Sequence, residues 1–197
     1  MSIELSFRFG QRGLSLIELL IFIVVVGVCL AGVLAAINLG TQHSADPMVR
    51  KQALAAAESL LEEIELQPFT FCDPRDPSAP TATSSAVGAT GCSAAGYSMD
   101  TPANWGVGKS RYASPFFDNV ADYNSFSMTG TLNDLFQQAS SRLAGYSASV
   151  SVSQVGSGFG AGVPNADVLR IDVTVTGSGE TVKLTGFRFR HSPNLVD

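Results

Sequence analysis

The sequence predicts an α+β protein in which a long N-terminal helix, apolar enough to span a membrane, leads into a small antiparallel sheet. Three observations carry this. Residues 14–39 read LSLIELLIFIVVVGVCLAGVLAAINL, with Glu18 as the one charge. Residues 47–67 place apolar side chains at helical spacing. Residues 147–190 hold three runs in which apolar and polar residues alternate. The 197 residues leave room for one ordinary domain beside the apolar segment.

The first helix follows from the apolar run itself. Roughly 24 of its residues, at about 1.5 Å each, span about 36 Å, enough for a hydrocarbon core of ~30 Å. Backbone groups in lipid must pair within the segment, so a helix is expected despite the β-branched run Ile23–Val26. A secretory signal peptide is the competing reading. Its apolar core is usually about 7–15 residues long, shorter than this one. The small residues between Ala31 and Ala36 keep a cleavage site there open as an alternative. Arg8 and Arg12 precede the run, opposed only by Glu4. Positive flanks favour the cytoplasmic side, which puts the N-terminus inside and the C-terminal body outside.

Glu18 is the most informative residue. A carboxylate inside an apolar helix costs about 2.5–3.5 kcal/mol on insertion scales. It either sits near enough to the interface to reach water, with Arg12 close by, or it has a partner. Its context reads Gln11-Arg12-Gly13-Leu14-Ser15-Leu16-Ile17-Glu18-Leu19. A basic leader, a glycine, and a glutamate five positions later at the head of a long apolar helix resemble the class III signal of type IV pilins and pseudopilins. The usual core of that family is G-F-T-L-I-E; here it is G-L-S-L-I-E, with Leu for the common Phe. The resemblance implies that a prepilin peptidase cuts after Gly13 and that Leu14 becomes the N-methylated first residue. It also implies that Glu18 pairs with the new α-amine, its own or a neighbour's, during assembly. An unpaired charge in a packed filament would cost several kcal/mol, so such a pair would fix subunit register.

The second helix opens at Ser44-Ala45-Asp46-Pro47, an acid at the cap and a proline at the first helical position. Ala53, Ala57, Leu60, Leu61 and Ile64 then share a face opposite Arg50, Lys51, Glu58, Glu62 and Glu65. The pattern stops at Gln67-Pro68. Breakers between Asn38 and Pro47 predict a kink or short interruption where pilins have a nearly continuous helix. The acidic stripe is expected to be a solvated face.

Residues 68–145 are rich in Pro, Ser, Thr and Gly and predict mostly irregular structure. Thr131–Leu143 is expected to form a short helix capped by Thr131. Asp73 with Asp76, and Asp118 with Asp122, are conceivable calcium ligands. They lack the regular spacing of an oxygen-ligand loop, and no metal is expected. Cys72 and Cys92 enclose 19 residues of this region. Lying outside the cytoplasm, where disulfides persist, they are expected to be bonded.

The sheet is read from Ser147–Val155, Val168–Thr176 and Thr181–Arg190. The first turns Ala148, Val150 and Val152 inward, the second Leu169, Ile171, Val173 and Val175. In the third, Val182, Leu184, Phe187 and Phe189 share a face only if Gly186 forms a bulge. Gly177-Ser178-Gly179-Glu180 reads as the hairpin between the last two. Three such strands need an apolar partner, which the amphipathic helix supplies. That helix-on-sheet plan is pilin-like.

Several function classes are disfavoured. Seventeen acidic against 12 basic residues give a net charge of −5, the wrong sign for neutralising nucleic-acid phosphates. Gly156–Ala161 matches a loose G-x-G-x-x-A, but Val163-Pro164-Asn165 follows where a dinucleotide site needs a helix. His43 and His191 are the two histidines, and neither joins a nucleophile motif. Cys29 lies in the apolar run and reads as packing. No enzyme, cofactor or nucleic-acid partner is expected.

Three further stretches resemble MSHA-type minor pilins of the MshD kind: Ser44–Pro47 with the glutamate-rich helix, Phe116–Tyr123 (FFDNVADY), and Leu143–Tyr146 (LAGY). The resemblance implies a leader at 1–13, a membrane and assembly helix at 14–40, an amphipathic helix at 41–67, a loop-rich region at 68–145, a sheet at 146–191 and a tail at 192–197. It implies single-pass insertion in a bacterial inner membrane, then incorporation into or priming of a filament. The implied partners are the peptidase, the major and other minor pilins, and an inner-membrane assembly platform driven by a cytoplasmic ATPase. A PilV-like minor pilin, a minor pseudopilin of type II secretion, and a stand-alone membrane-anchored adhesin are the alternatives.

Overall fold

The computed structural model describes residues 15–42 and 46–190. Residues 1–14, which include Gly13 and Leu14, residues 43–45, within the segment where the sequence predicts a kink, and residues 191–197 lie outside the described residues. The chain forms two compact units, residues 1–45 and 46–197.

In the first unit, α1 runs from Leu16 to Gln42. Leu16–Asn38 is long and apolar enough to cross a membrane. Its large side chains are exposed on every side, from Leu16 at 82% to Ile37 at 58%. A helix apolar all round requires lipid or other helices as its surroundings.

In the second unit, α2 spans Asp46–Glu65. Pro47 sits in its first turn, where a missing N–H costs nothing. The sheet comprises β1 (Ser127–Met128), β4 (Tyr146–Gln154), β5 (Val168–Gly177) and β6 (Glu180–Phe189), in the order β1-β4-β5-β6 and antiparallel throughout. Ala53, Ala57, Leu60 and Ile64 of α2 are buried with Ala148, Val150, Ile171 and Val173 of the sheet. The helix can approach β6 closely because residue 186 is glycine: a Cβ there would lie 2.2 Å from Glu65 Oε1 and 3.0 Å from Leu61 Cδ1. Ser178 and Gly179, with φ of 49° and 87°, close the β5–β6 hairpin as a two-residue turn with positive φ at both positions.

Two sequence expectations are corrected. Thr131–Leu143 is not a helix but a second, two-stranded sheet, β2 (Thr131–Asn133) with β3 (Ala139–Ala144). Asp134 decides this. Its Oδ1 accepts the N–H groups of Phe136 and Gln138 at 2.9 and 2.8 Å, reversing the chain with Gln137 at φ 60°. Such local side-chain bonds compete with helix. The second correction concerns β6. Its register with β5 is unbroken from Gly177↔Glu180 to Val168↔Phe189, so Gly186 forms no bulge. Gly186 and Arg188 therefore share the helix side with Val182 and Leu184, and Phe187 and Phe189 face outward, 44% and 51% exposed. Phe159, on the β4–β5 connection, meets both rings at 5.4 and 5.2 Å.

Between α2 and β1 the chain makes short 3-10 turns. Polar pins, rather than a ladder, hold that stretch.

Candidate functional site

The assembly candidate on α1 is built by position. Leu19 N–H donates to Ser15 O at 3.1 Å, so the helical bonding begins just before Glu18. Glu18 stands exposed in the first turn, an acid where the helix dipole favours one. Gly13 and Leu14 precede the described residues by two and one positions. The carboxylate is thus placed at the head of the apolar helix.

The body holds four constructions that tie its parts together. The first surrounds Lys109, whose side chain is fully buried. Its Nζ lies 2.9 Å from Asp73 Oδ2 and 2.8 Å from Asp122 Oδ2, and contacts Asp118 Oδ1. Asp122 also accepts the N–H groups of Gly106, Asp118 and Asn119. Burial alone would raise the Asp73 carboxyl; Arg75 and Lys109 outweigh it and hold it at about 2. Burial would likewise weaken the Lys109 ammonium, but hydrogen bonds to Asp118 and Asp122 keep its pKa above the ordinary lysine value. Asp118 is pushed up by burial despite Lys109. Asp73, Asp118 and Asp122 converge as metal ligands would, and the lysine ammonium sits at their centre. Asp76 does not join them; it accepts the N–H groups of Ser78 and Ser93.

The second construction is the bond between Cys72 and Cys92, with Cα atoms 5.5 Å apart and both residues fully buried. Asp76 lies against the same pair, and the bonded sulfurs leave it no thiolate partners. The third ties α2 to the loops. Arg111 grips Glu63 through two bonds of 2.7 and 2.6 Å, and Tyr123 Oη donates to Glu63 Oε1 at 2.8 Å. Burial would weaken the Arg111 guanidinium, but Glu63 more than compensates and its pKa rises. Burial and Glu63 raise the Tyr123 phenol. At the end of β6, Arg190 lies between the rings of Phe69 and Phe71, 4.5 and 4.6 Å from their centroids, and pairs with Asp167 and Asp100.

None of these groups forms a nucleophile–base pair opening on a cleft. Each side chain is spent on another part of the body. Lys109, Arg111 and Arg190 were not foreseeable as pins, because a lone cation in a loop looks the same as a solvated one.

Residues 8–34 match the family described as the prokaryotic N-terminal methylation motif. The match spans Arg8, Arg12, the Gly13–Leu14 junction, Glu18 and the apolar run to Leu34. The match supports a type IV pilin-like class III signal at the N-terminus. The match ends within α1, so the body from Asp46 onward is described by its own geometry. No curated protein and no solved structure matches the chain. The motif accompanies a pilin-like α+β plan, a long apolar N-terminal helix in a chain that also holds an antiparallel sheet.

Proposed function

We propose that the chain is a minor pilin of an MSHA-type type IV pilus, most similar to MshD, which joins or primes the filament. Prepilin peptidase cuts it after Gly13, Leu14 is N-methylated, and α1 holds it in the inner membrane with the body in the periplasm. Extraction by the assembly platform then moves α1 from lipid into the packed helices of the filament. Major and other minor pilins supply those helices. Glu18 accepts an N-terminal amine there, because neither charge can stay unpaired in that interior.

The methylation motif at residues 8–34 carries this reading. Its support is that α1 is apolar along its length with its large side chains exposed, as a helix destined for lipid and then a bundle requires. The minor-pilin assignment rests on the FFDNVADY and LAGY stretches and the glutamate-rich α2. Coexpression with a prepilin peptidase should give a product beginning at Leu14, and Gly13→Ala should block its formation. A chain that keeps Met1 in its native host would sink the proposal and leave the stand-alone anchored adhesin.

A further inference from the structure

Resting on the reading of the chain as a filament subunit, we infer that the outer sheet face of one copy takes the exposed face of α2 of a second copy. The outer face carries Phe187 and Phe189, and Phe159 lies in ring contact with both; each of the three is about half exposed. Single exposed apolar residues are ordinary, but a contiguous aromatic patch marks a contact surface. Beside it on the same face, register places Arg170 opposite Phe187 and Asp172 opposite Thr185. Arg170 and Lys183, 45% and 54% exposed, flank Asp172, so cations outnumber acids on this patch of an acidic protein.

The surface that complements it is on the same chain. The C-terminal half of α2 exposes Glu58 and Glu62, and Leu66 beyond its end is 77% exposed. Acid meets base, and leucine meets phenylalanine. The two surfaces cannot meet within one body, because α2 covers the inner face of the sheet and the aromatic patch lies on the outer. A contact between two different surfaces is heterologous and leaves one surface of each kind free for a further subunit. A twofold dimer would instead bring like surface to like.

The test uses the full-length chain in membranes of cells carrying the assembly machinery, in a Cys29→Ala background. One tagged copy carries Ser59→Cys on exposed α2, and a second, differently tagged, carries Thr174→Cys on the outer face. Mild oxidation should link the two tags at least fivefold more than Ser59→Cys with itself or Thr174→Cys with itself. Phe187→Ser, an exposed position, should lower the yield severalfold. Lys183→Glu should do the same, and Glu62→Lys in the partner copy should restore it. Equal yields for all pairings, or a dominant like-with-like product, overturn the inference. The N-terminus of the same material is sequenced. A Leu14 start with no preferred cross-link refutes this contact alone, whereas a Met1 start refutes the filament reading.

Discussion

Replacing Lys109 with Met removes the cation from three carboxylates while keeping most of the side chain's volume. Asp73 and Asp122 are 2% exposed and stand on either side of the vacated ammonium. Breaking a buried ion pair by deleting one partner costs about 3–5 kcal/mol, a large share of the roughly 5–15 kcal/mol that holds a domain folded. Arg75 still neutralises Asp73 at 3.0 Å, which favours the lower end of that range. The cost should also depend on pH. In the native protein the Asp73 carboxyl is depressed to about 2, so its contribution is present above the ordinary value of 3.8 and fades as pH falls through 2. Lys109 has the opposite sign: its raised pKa adds stability below the ordinary 10.5 that is lost as pH rises through the higher folded value. Without the ammonium, Asp73 and Asp118 lose a partner that favours their charged form, so the penalty should be full at pH 7 and shrink toward pH 4. Urea titrations of the full chain in mild detergent can follow Trp105, the single tryptophan, which is buried with its Nε1 donating to Met99 O at 2.8 Å. A loss below about 1 kcal/mol, or one that is the same at pH 7 and pH 4, would refute the account.

Unreduced mass spectrometry should find Cys72 and Cys92 linked, and Cys72→Ser should cost roughly 3 kcal/mol of loop-closure entropy; two thiols that alkylate without reduction would contradict this. Gly177→Ala would set a Cβ 2.3 Å from the ring of buried Tyr146 and should destabilise by about 1–3 kcal/mol in the same urea titration. Glu18→Val should leave the body folded and the chain in the membrane, since an apolar residue is cheaper in lipid by about 2–3 kcal/mol. It should nevertheless be missing from sheared filaments, and normal amounts there would rule out the charge-pair role.

The legible parts of this molecule were those governed by period and composition. The apolar run to Leu39 announces α1, Ala53 through Ile64 announce the buried face of α2, and alternation announces β4 and β5. The turn at Ser178-Gly179 is visible because positive φ favours glycine. Where periods compete, the reading fails. Phe187 and Phe189 look inward because phenylalanine is apolar, yet the pleat sends them outward, and Gly186 is needed where α2 comes close. Thr131–Leu143 has helical spacing, but a single aspartate at 134 turns the chain back on itself. The ion clusters were illegible for a different reason. Asp73, Lys109 and Asp122 meet through loops whose path no local pattern encodes.

The stretch from Leu66 to Phe126 is held at few points: the cystine, Lys109 among its acids, Arg111 on Glu63, and Arg190 between two rings. Between those points Phe69, Met99, Trp105, Val120 and Tyr123 reach into the core, and runs such as 86–90 and 93–96 lie exposed. Substitutions in those exposed runs empty no core. Those exposed runs can therefore accept many residue types, while the buried and paired residues keep the backbone beneath them the same.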